Sequence, residues 1–210
     1  PDPVLQQIET TWDHTINAND AFKPVSRYWD RIERPEQLMV AALNAIRVLT
    51  DPVETGAVTL CLPQDTQAEA YDYPDYFLKK RVWYLDRRTL DSRSLIKAIK
   101  ILCNAKKPLI VAGGGVHYAE ASGTLRDFAE TFGIPVGETQ AGKSSMNWKG
   151  EMSLGAIGVT GTSAANLLAK DADVVLVVGS RLQDFTTASK QIFNKDVILL
   201  HLNISKYDAL

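Results

Sequence analysis

A glycine triplet, Gly113-Gly114-Gly115, closes the apolar run Leu109-Ile110-Val111-Ala112. Its chemistry is that of backbone amides left open toward a ligand. Glycine permits positive φ and lets a bound group come close to the main chain. At the carboxyl end of a strand in an open α/β sheet, that is where ligands dock. A helix starting there turns its positive end toward an anion. The dinucleotide fingerprint asks for another glycine three residues after the second. Counted from Gly113 and Gly115, that position holds Tyr118. A plain strand-to-helix turn is therefore the competing reading. Two charged residues fall on loops of the same kind, Lys143 in Ala141-Gly142-Lys143-Ser144 and Asp184 after Val174–Val178. For both, a solvated loop charge is the alternative. His117 reads as a surface histidine at a helix start. Lys79-Lys80-Arg81 and Arg87-Arg88 read as solvated or ion-paired runs.

Composition excludes several classes. The chain has 210 residues with a formal net charge of -2, so nothing in its electrostatics calls for nucleic acid or a membrane surface. No apolar stretch reaches membrane-spanning length and no signal peptide stands at Pro1. A cytoplasmic location is expected. The two cysteines, Cys61 and Cys103, read as small buried apolar residues. With the three histidines (His14, His117, His201) they show no metal-ligand spacing, so no metal site is expected. The chain opens without Met in polar sequence, which suggests an excised or processed segment.

The elements that position these residues alternate. Pro35 starts a helix whose apolar residues Leu38, Ala41, Ala42, Ala45, Ile46 and Leu49 recur at helical spacing up to Asp51-Pro52. Ala57 to Leu62 reads as a strand with no partner before it, and a lone strand is not stable. Tyr71 to Arg88 shows neither period and reads as a surface-crossing linker, its aromatics docked on a neighbouring domain. Asp91-Ser92 caps a helix with Leu95, Ile96, Ile99 and Leu102 on its apolar face. Strand Leu109–Ala112 follows, buried on both faces because its apolar residues do not alternate. Next come a helix over Ala119–Phe132, with Leu125, Phe128, Ala129 and Phe132 inward, its stop at Gly133, and a short strand Ile134–Val136. A helix within Gly158–Leu168 and strands Val174–Val178 and Val197–Leu202 complete the pattern. Strands separated by helices predict an α/β fold with a doubly wound parallel sheet.

The order of loops resembles one family. Pro63-Gln64-Asp65, the Gly113–Gly115 triplet, Gly133-Ile134-Pro135-Val136, Ala141-Gly142-Lys143-Ser144, Gly158-Val159-Thr160-Gly161-Thr162, Gly179-Ser180-Arg181 and His201-Leu202-Asn203-Ile204 occur in the sequence seen in thiamine-diphosphate enzymes of the acetohydroxyacid synthase and pyruvate oxidase type. The resemblance implies that residues 1–87 are the carboxyl-terminal remnant of a pyrimidine-binding domain plus linker. It implies that residues 88–210 are a central Rossmann-like domain, truncated at its carboxyl-terminal end. Thiamine diphosphate and Mg2+ would belong to the full-length protein. They would not be held by this segment, which has no Gly-Asp-Gly motif and whose expected catalytic residues are none.

The resemblance also assigns roles. In flavin-binding relatives the residues matching Gly113, Gly114, Gly115, Thr139, Gly179 and Arg181 touch the cofactor. Asn203 stands where an acidic residue would bind the adenosine ribose; an amide lacks the charge that strengthens that bond, so FAD or ADP is not expected. Synthases carry Lys where Gln64 stands and another loop at Gly179–Phe185. Those departures argue against a synthase, and the stretches Pro63–Pro74 and Glu138–Ser145 resemble a branch that hydrolyses a C–C bond in a cyclic ketone. Gln64, Lys143 and Asp184 are then candidates for a substrate channel. The expected partners are a small-molecule substrate and, at full length, identical subunits in a dimer or tetramer. A flavin-containing synthase and a non-catalytic nucleotide-binding module are the alternatives.

Overall fold

The computed structural model describes residues 18–85 and 87–209, in two units whose boundary falls between Arg87 and Arg88. His14 lies outside the described residues. In the first unit a 3-10 turn (Ala18–Val25) leads to β1 (Tyr28–Arg31), α1 (Gln37–Thr50), β2 (Val58–Cys61), α2 (Gln64–Ala68) and the single turn α3 (Asp75–Leu78). β1 and β2 pair in parallel, Tyr28 opposite Val58 and Arg31 opposite Cys61. The strand read as partnerless therefore has a partner. β1 escapes a pattern reading because Asp30 and Arg31 interrupt its apolar character. Both charges find partners locally: Arg31 reaches Asp20 at 2.9 Å and lies over the Trp29 ring, and Asp30 accepts from the Tyr28 hydroxyl and the Gln37 amide. α1 buries its small residues Ala41 and Ala45.

The second unit contains α4 (Ser92–Cys103), β3 (Pro108–Ala112), α5 (Gly115–Tyr118), α6 (Ser122–Phe132), β4 (Val136–Glu138), β5 (Ser153–Ala156), α7 (Ser163–Asp171), β6 (Val174–Val178), α8 (Asp184–Thr187) and β7 (Ile198–Leu202). Its five strands are all parallel, in the order β5-β4-β3-β6-β7. The chain winds outward from β3 through β4 to β5, then returns to the other side of β3 for β6 and β7. The order reverses between β3 and β6, the switch point at whose carboxyl ends a doubly wound sheet forms its crevice.

Both faces of the sheet are covered, which is why β3 reads as an unbroken apolar run. Leu109, Val111, Val175 and Val177 pack with Ala165 and Ala169 of α7. Ile110 and Ala112 turn the other way, onto Leu125 and Ala129 of α6 and Val136 of β4. Each fully buried Val or Leu contributes about 1.5–3 kcal/mol. Asp91 and Thr162 cap α4 and α7 by accepting from the amides of Ser94 and Ala165.

Several expectations are corrected. The helix expected over Ala119–Phe132 starts only at Ser122, and Glu120, at φ 55, separates it from the short α5 before it. Phe132 is exposed and stacks on Phe128 at 4.8 Å. The strand read at Ile134–Val136 starts two residues later, because Pro135 has no N–H to donate; its carbonyl accepts from Ile110 N at 2.9 Å. β5 goes unread because Ser153-Leu154-Gly155-Ala156 is short and contains glycine. Cys61 is buried as expected, but Cys103 is exposed. Leu95, Ile96 and Ile99 of α4 are also exposed; of its apolar residues, Leu102 packs on the core. In the stretch read as a linker, Tyr73 docks within its own unit, its hydroxyl donating to Pro35 O at 2.8 Å, while Tyr76 and Tyr84 are exposed. No helix among the described residues is long and apolar enough to cross a membrane.

Candidate functional site

Four loops meet at the carboxyl edge of the five-stranded sheet because the strand ladder continues one step into them. Gly113 N donates to Val178 O (2.8 Å), Thr139 N to Ala112 O (2.9 Å) and Gly179 N to Leu202 O (2.8 Å). The triplet and Gly179 then touch main chain to main chain. Gly115 N donates to Gly179 O at 3.0 Å, and a Cβ on Gly115 would fall 2.6 Å from Gly179 Cα. Gly179 itself takes φ 59, where a side chain is strained. The close approach therefore needs glycine on both sides.

The structure brings Gly113, Gly114, Gly115, Thr139, Gly179 and Arg181 to one edge; the sequence reading placed the triplet and Gly179–Arg181 there. Thr139 is buried and its hydroxyl accepts from Gly142 N at 3.1 Å. Arg181 is exposed. Lys143 belongs to the same edge: its carbonyl is bonded to His117 Nε2 at 2.9 Å, which ties the loop after β4 to α5. Asp184 opens α8, whose Phe185 O accepts from Val159 N. Asn166 grips that neighbouring loop by bonding both the N–H and the carbonyl of Gly158. Gln64 lies in the other unit, exposed at the start of α2.

Sequence reasoning missed Glu138. It ends β4 at 8% exposure, and its Oε1 accepts from Met146 N (2.8 Å) and Ser145 Oγ (3.2 Å). An acidic residue directly before Thr139, in a segment otherwise apolar, is the signal that could have found it. An open groove lined by Lys100, Asn104, Asp173, Val174 and Ile198 lies at the opposite, amino-terminal edge of the strands. There Asp173 accepts from the amides of Lys106 and Lys107, and these bonds hold its carboxyl below the ordinary carboxylate value.

The residues at the switch point fit a dinucleotide poorly. The amides of Gly113 and Gly115 already bond to the β6 loop. Asn203, at the ribose position, donates to Ser180 O and accepts from Ser205 N. α5 is a single turn, too short to carry much dipole. Among the described residues no group of three or more His, Cys, Asp or Glu is placed to hold a metal ion.

Residues 95–209 match the family model for the central domain of thiamine pyrophosphate enzymes. The chain is also similar along its whole length to proteins named 3D-(3,5/4)-trihydroxycyclohexane-1,2-dione hydrolase. It is 57% identical to that of Clostridium tetani (strain Massachusetts / E88) and 58% identical to those of Bacillus cereus (strain AH820) and Bacillus anthracis (strain A0248), each over 210 residues. It spans 33% of the length of each of these curated relatives. A doubly wound sheet, a glycine interlock at its switch point and the match over 95–209 lead to one assignment: the chain belongs to the thiamine pyrophosphate enzyme family, with residues 95–209 matching its central domain.

Proposed function

We propose that this chain is the scaffold portion of a thiamine-diphosphate-dependent hydrolase that opens the ring of trihydroxycyclohexane-1,2-dione by cleaving a C–C bond. The observation that carries the reading is identity of 57–58% across all 210 residues to proteins of that name. In this reading, residues 1–87 are the end of the pyrimidine-binding domain plus linker, and thiamine diphosphate with Mg2+ sits elsewhere in the whole protein. When bound, thiamine diphosphate supplies the electron sink that ketone C–C cleavage needs. Lys143 and Asp184, at the carboxyl edge of the second unit, are the substrate-channel candidates there; Gln64 is the candidate in the first unit.

The switch point holds no flavin or ADP in this reading, because the amides of Gly113 and Gly115 and the side chain of Asn203 are already hydrogen-bonded within the protein. The glycines there serve loop-to-loop packing. Identical subunits assemble around a small-molecule substrate.

The test uses the full-length protein. It consumes the dione only when thiamine diphosphate and Mg2+ are supplied, and its spectrum lacks the band of oxidised flavin. A flavin band together with acetolactate formation from pyruvate would establish the synthase alternative instead.

A further inference from the structure

The turn from Gly142 to Met146 is held more tightly than a connection between β4 and β5 requires. Glu138 is buried beneath it with no cation paired to it among the described residues, and grips Ser145 and Met146, themselves 1% and 6% exposed. A buried carboxylate is costly unless hydrogen bonds replace its water. An apolar residue at 138 would serve a mere connection better. Ser144 stands at φ 74 without being glycine, a conformation that L-residues avoid. Gly142 packs so closely on Ala112 O that no side chain fits. His117 holds the carbonyl of Lys143. Strain that the surroundings over-determine collects at functional sites. What these anchors leave free is one charge, the exposed side chain of Lys143.

We propose that Glu138 is a positioning residue. Through Ser145 and Met146 it fixes Lys143 so that the ammonium binds the carboxylate released on ring opening. This rests on the hydrolase reading above. The dione is neutral, and hydrolysis adds one water across the bond between its carbonyls to give an acid and an aldehyde. A cation carried by a held turn therefore favours the ionised product over the neutral substrate.

The experiment measures inhibition by the acid product in full-length holoenzyme. K143A weakens it about tenfold or more, the worth of a charge-assisted bond. E138A does the same without touching the ligand. E138Q, whose amide oxygen still accepts from Met146 N and Ser145 Oγ, restores most of the product affinity. If E138A does not fold, S145A removes one of the two bonds and shifts inhibition in the same direction by less. Unchanged product inhibition in K143A overturns the proposal. So does a Glu138 or Ser145 variant that loses thermal stability but keeps wild-type inhibition, which is what a purely structural role gives. A wild-type enzyme inert toward the dione overturns the hydrolase reading itself, and shows this before any variant is made.

Discussion

At Gly115 the nearest obstacle to a side chain is backbone, Gly179 Cα at 2.6 Å, so relief requires one of two loops to move. Gly115→Ala should lower stability by about 1–3 kcal/mol, the usual range for overpacking. Gly123 in α6 has open space where a Cβ would stand, with nothing within 4 Å, so Gly123→Ala should raise stability by up to about 1 kcal/mol. Urea unfolding of the two variants separates close packing from a general effect of replacing glycine. Asp173 adds a pH signature. Hydrogen bonds from the amides of Lys106 and Lys107 lower its carboxyl from the ordinary 3.8. The unfolded chain therefore takes up this proton first as pH falls. The stabilisation is full above about pH 4 and disappears as pH drops through the lower folded value. Asp173→Asn should melt lower than wild type at pH 6, with the gap closing below pH 4 in a series of thermal melts.

Among the elements, the segment after α8 is the most strained. Ala188, Ser189 and Lys190 take φ 47, 56 and 65 in succession, although left-handed residues other than glycine normally occur singly. Thr187 and Ile192, both buried, pin this run, through Lys190 N to Thr187 Oγ1 and Ile192 N to Thr187 O. Ser189 is exposed, so Ser189→Gly should relieve strain without losing packing and raise stability by about 1 kcal/mol; an unchanged or lower melting temperature would contradict the left-handed geometry. Such a run cannot be read from Ala-Ser-Lys, since no residue there favours it. β3 and β6 are legible because burial on both faces leaves an unbroken apolar run. β1 and β5 are not, because pairing with β2 and β4 makes them strands rather than their own composition.

Over the whole molecule, the parallel sheet and the meeting of the Gly113–Gly115 and Gly179–Arg181 loops are legible from apolar runs that each end in glycine. Strand order supplies the rest of that placement: β6 returns beside β3, so loops far apart in sequence at Gly113 and Gly179 share one hydrogen bond network. Glu138 is legible only as an acidic residue in an apolar segment, since its partners Ser145 and Met146 are set by turn geometry. The loop interlock uses the amides of Gly113 and Gly115. In the proposed reading the carboxyl edge is a scaffold for chemistry supplied elsewhere in the protein, and that chemistry is hydrolysis of a C–C bond. The most direct measurement is turnover of the dione by the full-length enzyme in oxygen-18 water, with the acid product analysed by mass spectrometry and corrected for exchange in unreacted dione. One solvent oxygen in the product carboxylate is the expected result; an unlabelled carboxylate, or a product joined to a second substrate carbon chain, would contradict it.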